Sequence, residues 1–366
     1  MLFKKLFVFL FFVVVFGLEF LQVTRSISPI LFQVLFNKNI ELKKSSPERI
    51  NLLLLGRGGG KHEGPNLSDT IIFASLDLKN PKVTLVSLPR DLWSADLNGR
   101  INSAYAVGET KRKGGGLVLS ESVVSKIIGQ NIDYGIVIDF SGFVKAVDLM
   151  GGIDVNVDRA FDDYQYPIKG NENELCGHTE EEVVTFTASN SAETELPGFF
   201  PCRYEHLHFN KGLQHMDGET ALKYVRSRHA KGNEGTDFAR SQRQEKTIKA
   251  FMDKVFSLQI LVNPAKIVGL YSAVNGSIDT NIKQNEFDDF IKLAQKFQHA
   301  KIQSVVIDYG DQRDKRGGLL THPPISGKYK YEWTLIPRIG DNDFSEIHEY
   351  IKCSLTRTDC VVSEIP

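Results

Sequence analysis

The sequence predicts an α/β fold: a layered α-β-α domain with a central mixed sheet, behind an N-terminal transmembrane helix. Three features predict it. Ile50 to Leu55 is a largely apolar run of strand length, as expected of a strand buried on both faces. From Gly116 to Val157, helix-like and strand-like segments alternate, which is the pattern of layered packing. At the start, Lys4 and Lys5 precede an apolar run from Leu6 to Leu18 that continues through Phe20 and Leu21, enough for a short membrane span.

With 366 residues, 42% hydrophobic and 24% charged, the chain has ordinary globular composition and can bury one large core or two smaller ones. A formal net charge of -1 gives no reason to expect nucleic acid as a partner, so any cluster of arginines is a local anion site. The first alanine is Ala74, and the one small-x-small triplet after the apolar run, Ser26-Ile27-Ser28, is followed by Pro29, which makes a poor cleavage site. An uncleaved anchor in the cell membrane is therefore expected, single-pass, with the lysines inside and the domain extracellular. Residues 1–23 would form the stub and anchor, 24–49 a linker, 50–260 the main domain with a polar insertion at 169–206, and 261–366 an extension of helices and strands. Outside the cytoplasm, Cys176 with Cys202 and Cys353 with Cys360 read as disulfides by proximity, although three connectivities are possible.

The first strand stops at Gly56-Arg57-Gly58-Gly59-Gly60, a turn that lets backbone approach a ligand closely. Ile71 to Leu78 and Lys82 to Leu88 form a hairpin around Asn80-Pro81, so Asp69 before one strand and Arg90-Asp91 after the other meet at one edge. Gly116 to Ile128 reads as a helix, Tyr134 to Asp139 as a strand, Phe140 to Leu149 as a helix and Ile153 to Val157 as a strand. Val123, Val124, Ile127, Ile128, Phe140, Phe143 and Val144 read as core, with a pocket for a long hydrocarbon tail as the alternative.

A helix capped by Asp217 leads to Tyr224-Val225-Arg226-Ser227-Arg228, where an extended backbone would project Arg226 and Arg228 to one side. His215 and His229 flank this segment and read as structural. Asp237 is the expected N-cap of the next helix, whose buried stripe is Ile248, Phe251, Met252 and Val255; Arg240 and Gln244 continue that stripe by steps of four. Three arginines and an amide converging in this way suit an oxyanion with several oxygens, phosphate or pyrophosphate. The plain alternative is ion pairing with carboxylates elsewhere. Asn263 to Ala273 and Glu286 to Phe297 read as further helices, Val305 to Tyr309 as a strand, and Asp343 to Ile351 as a short helix.

Taken in order, Ser68-Asp69-Thr70, Leu88-Pro89-Arg90-Asp91, Asp139-Phe140-Ser141-Gly142-Phe143-Val144, Gly151-Gly152-Ile153-Asp154-Val155, Gly212-Leu213-Gln214-His215-Met216-Asp217-Gly218, Tyr224-Val225-Arg226-Ser227-Arg228 and Asp237-Phe238 with Arg240 and Arg243-Gln244 resemble the LytR-CpsA-Psr family over about residues 50 to 256. The resemblance implies a membrane-anchored extracellular phosphotransferase. It would move a glycopolymer from a polyprenyl-pyrophosphate carrier, its tail in an apolar tunnel, to a peptidoglycan hydroxyl, with Mg²⁺ as cofactor. By position, Asp69 would be the magnesium ligand, and Arg90, Arg226, Arg228, Arg240 and Gln244 would contact the pyrophosphate. Asp91, beside Arg90 in the catalytic pair, would orient an arginine or assist removal of the acceptor proton. Two positions depart from the family pattern: Gly58 stands where an acid is usual, and Leu67 where an arginine is frequent. His62 or Glu63 in the lengthened loop could compensate, Glu63 as a second metal ligand. A polyprenyl-pyrophosphate hydrolase and a non-catalytic receptor for such lipids are the other readings.

Overall fold

The computed structural model describes residues 39–60, 64–189, 196–255, 276–297, 299–310 and 317–362. The expected anchor, most of the linker, His62, Glu63 and the helix expected at 263–273 lie outside the described residues, as do the side chains of Asp237, Met252 and Val255. Along the chain run strands β1 (Arg49–Arg57), β2 (Ser68–Asp77) and β3 (Lys82–Ser87), then helices α1 (Ala104–Lys111) and α2 (Gly115–Ile128). Strand β4 (Tyr134–Asp139), helix α3 (Phe140–Leu149), strands β5 (Ile153–Val157) and β6 (Phe161–Pro167), and helix α4 (Glu180–Ser189) follow. Next come β7 (Tyr204–Phe209), β8 (Gly212–Met216), α5 (Gly218–Arg226) and α6 (Asp237–Val255). The described chain continues with β9 (Ile278–Thr280), α7 (Phe287–Phe297), β10 (Lys301–Val306) and α8 (Ser345–Thr356).

Six strands form a mixed sheet in the order β9-β4-β1-β2-β3-β10. β1 runs parallel to β4 and antiparallel to β2, β2 is antiparallel to β3, and β3 is parallel to β10. Alternation along the strands divides their side chains between two cores. Leu53, Leu55, Ile71, Phe73 and Val86 pack with Val123, Val124, Ile127 and Ile128 of α2 and Ile347 and Ile351 of α8. The intervening Ile50, Ile72, Ala74, Leu76, Val83 and Leu85 pack with Leu293 and Phe297 of α7. A sheet apolar on both faces requires helices on both, which is the α-β-α layering. The four apolar residues of α2 are thus core rather than channel wall.

A third core joins α3 and α5 to β5, β6, β7 and β8 through Val147, Ile153, Phe161, Leu207, Met216 and Tyr224. Here α5 lies against α3 at glycine distance: a Cβ on Gly218 would sit 2.3 Å from the carbonyl oxygen of Val144. β6 and β7 pair antiparallel, and the polar stretch between them is closed by the Cys176–Cys202 disulfide. Within it Phe199 is sandwiched between His178 and Phe186, with ring centroids 4.0 and 3.9 Å away. A second disulfide joins Cys353 and Cys360.

Three local readings change. Arg226 is the last residue of helix α5 and not part of an extended segment. The oxygen capping α6 is Thr236 Oγ1, which accepts from the Ala239 amide at 3.1 Å, one residue before the expected cap. The strand expected at Val305 to Tyr309 lies earlier, at Lys301–Val306, because its pairing with β3 ends at Val306 opposite Ser87.

Candidate functional site

The sheet order decides where the site lies. β1, β3, β4 and β10 end, and β2 begins, at one edge, so the segments following Arg57, Ser87, Asp139 and Val306 emerge beside Asp69. Ligands of open α/β sheets sit outside such carboxyl ends. There Arg90 Nη1 lies 2.6 Å from Asp69 Oδ1, the meeting that the hairpin predicted. Arg90 Nε is 3.5 Å from Asp91 Oδ2, an ion pair that leaves this buried nitrogen without a hydrogen-bond acceptor. Burial disfavours the charged guanidinium, but Asp91 and Asp69 outweigh it and hold the Arg90 pKa above its ordinary value.

The helices bring in the remaining predicted groups. Arg226 and Arg228, on either side of the end of α5, and Arg240 and Gln244, one turn apart on α6, line a single cavity of about 300 Å³ together with Asp69, Thr70 and Arg90. Gln244 Nε2 lies 3.3 Å from Thr70 Oγ1, fixing α6 over the start of β2. Arg226 lies with its guanidinium carbon 4.5 Å from the centre of the Phe140 ring, a cation–π contact that also aligns its planar face. Of the aromatic and aliphatic residues weighed as a lipid pocket, Phe140 reaches this cavity. A smaller recess adjoins it, sharing Asp69, Arg90, Arg240 and Gln244 and adding Asp308, Tyr309 and Leu335. Four guanidinium groups face two carboxylates in the main cavity, and both carboxylates are already engaged by the protein. The arrangement suits a polyanion.

Sequence reasoning missed the groups that make this possible. Asp163, on β6, is fully buried, and its Oδ2 accepts from Ser227 Oγ at 2.7 Å and from the Arg228 and His229 amides at 3.2 Å each. Its Oδ1 accepts from the Gln165 amide at 2.9 Å. Arg226 and Arg228 share a cavity because this carboxylate fixes the turn between them, not because the strand alternates. Gln165, Tyr166 and His229 also line the cavity, whereas His215 pairs with Asp154 across the antiparallel β5–β8 pair at 2.8 Å. Burial raises the Tyr166 pKa, with Arg226 opposing the shift.

Arg243, 2% exposed, clamps the same turn from α6 by donating to the carbonyls of Tyr224 (3.1 Å), Ser227 (2.7 Å) and Glu234 (2.8 Å). Burial lowers its pKa, and Glu234 opposes that shift. Arg243→Ala should cost about 3 kcal/mol, since it strands two buried carbonyls and a partly buried third. Urea unfolding measures this, and a loss below about 1 kcal/mol would rule out the clamp.

A sequence profile of the LytR_cpsA_psr family matches residues 31–319. The chain belongs to the LytR-CpsA-Psr family. TagU of Bacillus cereus, named a polyisoprenyl-teichoic acid–peptidoglycan teichoic acid transferase, is 27% identical over 259 residues, 69% of this chain and 66% of TagU. TagV of Bacillus subtilis, of the same description, is 28% identical over 282 residues, 75% of this chain and 60% of TagV. The chain therefore spans 60 to 66% of the length of these relatives. Among solved structures, the Lin1025 protein of Listeria innocua shares 24% identity and superposes with a TM-score of 0.55, covering 85% of this chain and 100% of that one. Crystalline B. subtilis TagV shares 23%, with a TM-score of 0.53 over 86% of this chain and 99% of that one. Both share the mixed α/β fold.

In the turn after β1 it is Gly59 and Gly60, not Gly58, that take a left-handed backbone. Gly59 sits at φ +64, where an added Cβ would lie 2.6 Å from Asp139 Cβ. Arg57 turns away to donate to Asn66 Oδ1 at 2.6 Å. Among the described residues no group of three or more histidine, cysteine, aspartate or glutamate side chains could form a metal cage. Magnesium is commonly held by one or two carboxylates together with substrate phosphates. Asp69, on the cavity wall with its Oδ1 engaged by Arg90 Nη1 at 2.6 Å, is a carboxylate of that single kind and not part of a cage.

Proposed function

We propose that this LytR-CpsA-Psr protein is a membrane-anchored extracellular phosphotransferase that moves a glycopolymer from a polyprenyl-pyrophosphate carrier to a peptidoglycan hydroxyl. The observation that carries this reading is the convergence of Arg90, Arg226, Arg228 and Arg240 on one cavity, with a buried Arg90 nitrogen still lacking an acceptor. The names of TagU and TagV support the donor and acceptor classes. Residues 1–23 serve as anchor, and the linker that follows joins the domain before residue 49: Leu42 is buried in a core and Arg49 begins β1; no helix among the described residues is long and apolar enough to cross a membrane. Residues 50–260 carry the chemistry.

Arg226, Arg228, Arg240 and Gln244 bind the pyrophosphate oxygens, and Arg90 pivots from Asp69 toward the phosphoryl group being transferred. The acceptor oxygen bonds to the phosphorus that carries the glycan, while the bond from that phosphorus to the polyprenyl-phosphate oxygen breaks. Asp91 holds Arg90 and takes the hydroxyl proton, and polyprenyl phosphate leaves. A magnesium ion held by Asp69 would supply further neutralisation of phosphate charge. Positioning and fixed positive charge then account for most of the acceleration.

The test uses the full chain in detergent with a labelled polyprenyl-pyrophosphate glycan, MgCl₂ and peptidoglycan. Label on peptidoglycan is the expected result. Soluble glycan phosphate would mean hydrolysis, and tight binding with neither product a receptor. Adding EDTA in excess of Mg²⁺ should lower turnover at least tenfold if Asp69 shares an ion with the substrate, and unchanged turnover would remove magnesium from the reaction.

A further inference from the structure

The family match ends at residue 319, yet the chain beyond it builds the wall behind Asp91. The Leu335 amide donates to the Asp91 carbonyl at 3.0 Å, and the Trp93 amide donates to the Leu335 carbonyl at 2.8 Å. Leu335 is bridged in parallel with Leu92, and Trp93, itself buried, meets Tyr329 edge to face at 5.3 Å. Backbone of the extension therefore sets the path of the Arg90-Asp91 loop. We propose that Glu332, in this extension, is a positioning residue for the reaction, acting on Asp91 through Arg100. The inference rests on the phosphotransferase reading.

Arg100 lies opposite Trp93 in a short hairpin, Trp93–Ser94 with Gly99–Arg100, which returns it to Asp91. Its Nη1 donates to Asp91 Oδ1 at 3.1 Å, and its Nε forms an ion pair with Glu332 Oε2 at 2.9 Å, without hydrogen-bond alignment. A guanidinium has separate edges, so a carboxylate on the Nε edge fixes which edge is offered to a second one. With Glu332 in place, Arg100 presents Nη1 to Asp91 Oδ1, and Asp91 Oδ2 is left facing Arg90 at 3.5 Å. The order Asp69, Arg90, Asp91, Arg100, Glu332 alternates in sign from the cavity to the extension. Each cation is held between two anions.

The backbone leading to Glu332 is unusual. Lys330 and Tyr331 are consecutive non-glycine residues at φ 56 and 58, a left-handed conformation that bulky side chains rarely adopt. A turn held in that conformation delivers the carboxylate to Arg100. Without it Arg100 can rotate, Asp91 follows, and the group that holds Arg90 and receives the acceptor proton loses its orientation.

The test compares Glu332→Ala, Glu332→Asp and Asp91→Asn with the double variant Asp91→Asn, Glu332→Ala, as full chains in detergent. Glu332→Ala should lower kcat about tenfold while leaving KM for the lipid donor within about twofold of wild type, since misplacement of about 1 Å can cost up to 100-fold. Glu332→Asp should recover part of the loss, and in the double variant the Glu332 change should add nothing to the Asp91 loss, as for groups acting in series. A wild-type kcat in Glu332→Ala, or a loss that multiplies in full with that of Asp91→Asn, overturns the proposal. If the wild-type chain itself shows no turnover, the functional reading has failed, and the link is read from melting midpoints of the same variants. Additive shifts then overturn it, and non-additive shifts support it.

Discussion

Replacing Asp163 with alanine is expected to abolish turnover and lower the melting midpoint together, although this residue sits outside every motif that carries the family resemblance. Its carboxylate is fully buried and accepts from Ser227 Oγ and from the amides of Gln165, Arg228 and His229. Each buried donor left unsatisfied costs about 1–3 kcal/mol. Asp163 lines the cavity, so water can replace some of these bonds, and the net cost is about 3–5 kcal/mol. The functional loss has a separate origin. Ser227, the pinned residue, lies between Arg226 and Arg228, so freeing it moves two guanidinium groups at once. Asp163→Asn can keep a carbonyl acceptor at the three donors that meet Oδ2, but it turns an amide donor toward the Gln165 N–H, so it should fall between wild type and alanine. Differential scanning calorimetry and the transfer assay on the same preparations check both effects. Wild-type melting and turnover in Asp163→Ala would show that the turn is held by something else.

The contrast between Asp163 and Asp69 explains how far the site was legible in the sequence. Asp69 and Arg90 were readable because a short hairpin fixes which ends of two strands meet, and Asn80-Pro81 marks the turn. Arg240 and Gln244 were readable because they extend an apolar stripe at helical spacing through Ile248 and Phe251. What the sequence could not supply was the pairing of β6 with the turn after α5, a contact across more than sixty residues. A weak signal was present: Phe161 and Asp163, two apart on a strand, face the same way, so an acid stood on a buried face. α6 carries a similar signal. Ala239, Arg243 and Thr247, spaced by four, are all buried, placing an arginine in the core register beside the cavity-facing row of Arg240 and Gln244. Arg226 was placed correctly for the wrong reason. It ends a helix, and the sharing of one cavity with Arg228 comes from Asp163 and Arg243 holding the turn.

Arg228→Ala tests the site while keeping the Asp163 bond to the turn. The bond from Asp163 goes to the Arg228 amide, so truncating the side chain leaves the turn pinned while removing one guanidinium from the cavity. Turnover should therefore fall by about 10²–10³, the cost of one pre-organised donor facing developing phosphate charge. Arg228→Lys should restore only a small part. A lysine keeps the positive charge but loses the planar fork that can grip two oxygens of one phosphate, and its ammonium is more strongly hydrated. Charge alone would predict near-complete rescue, whereas geometry predicts a deficit of at least tenfold, and the same assay separates the two. Turnover within twofold of wild type in Arg228→Ala would mean that Arg90, Arg226 and Arg240 hold the pyrophosphate without it. The convergence of four guanidinium groups would then not be the basis of catalysis.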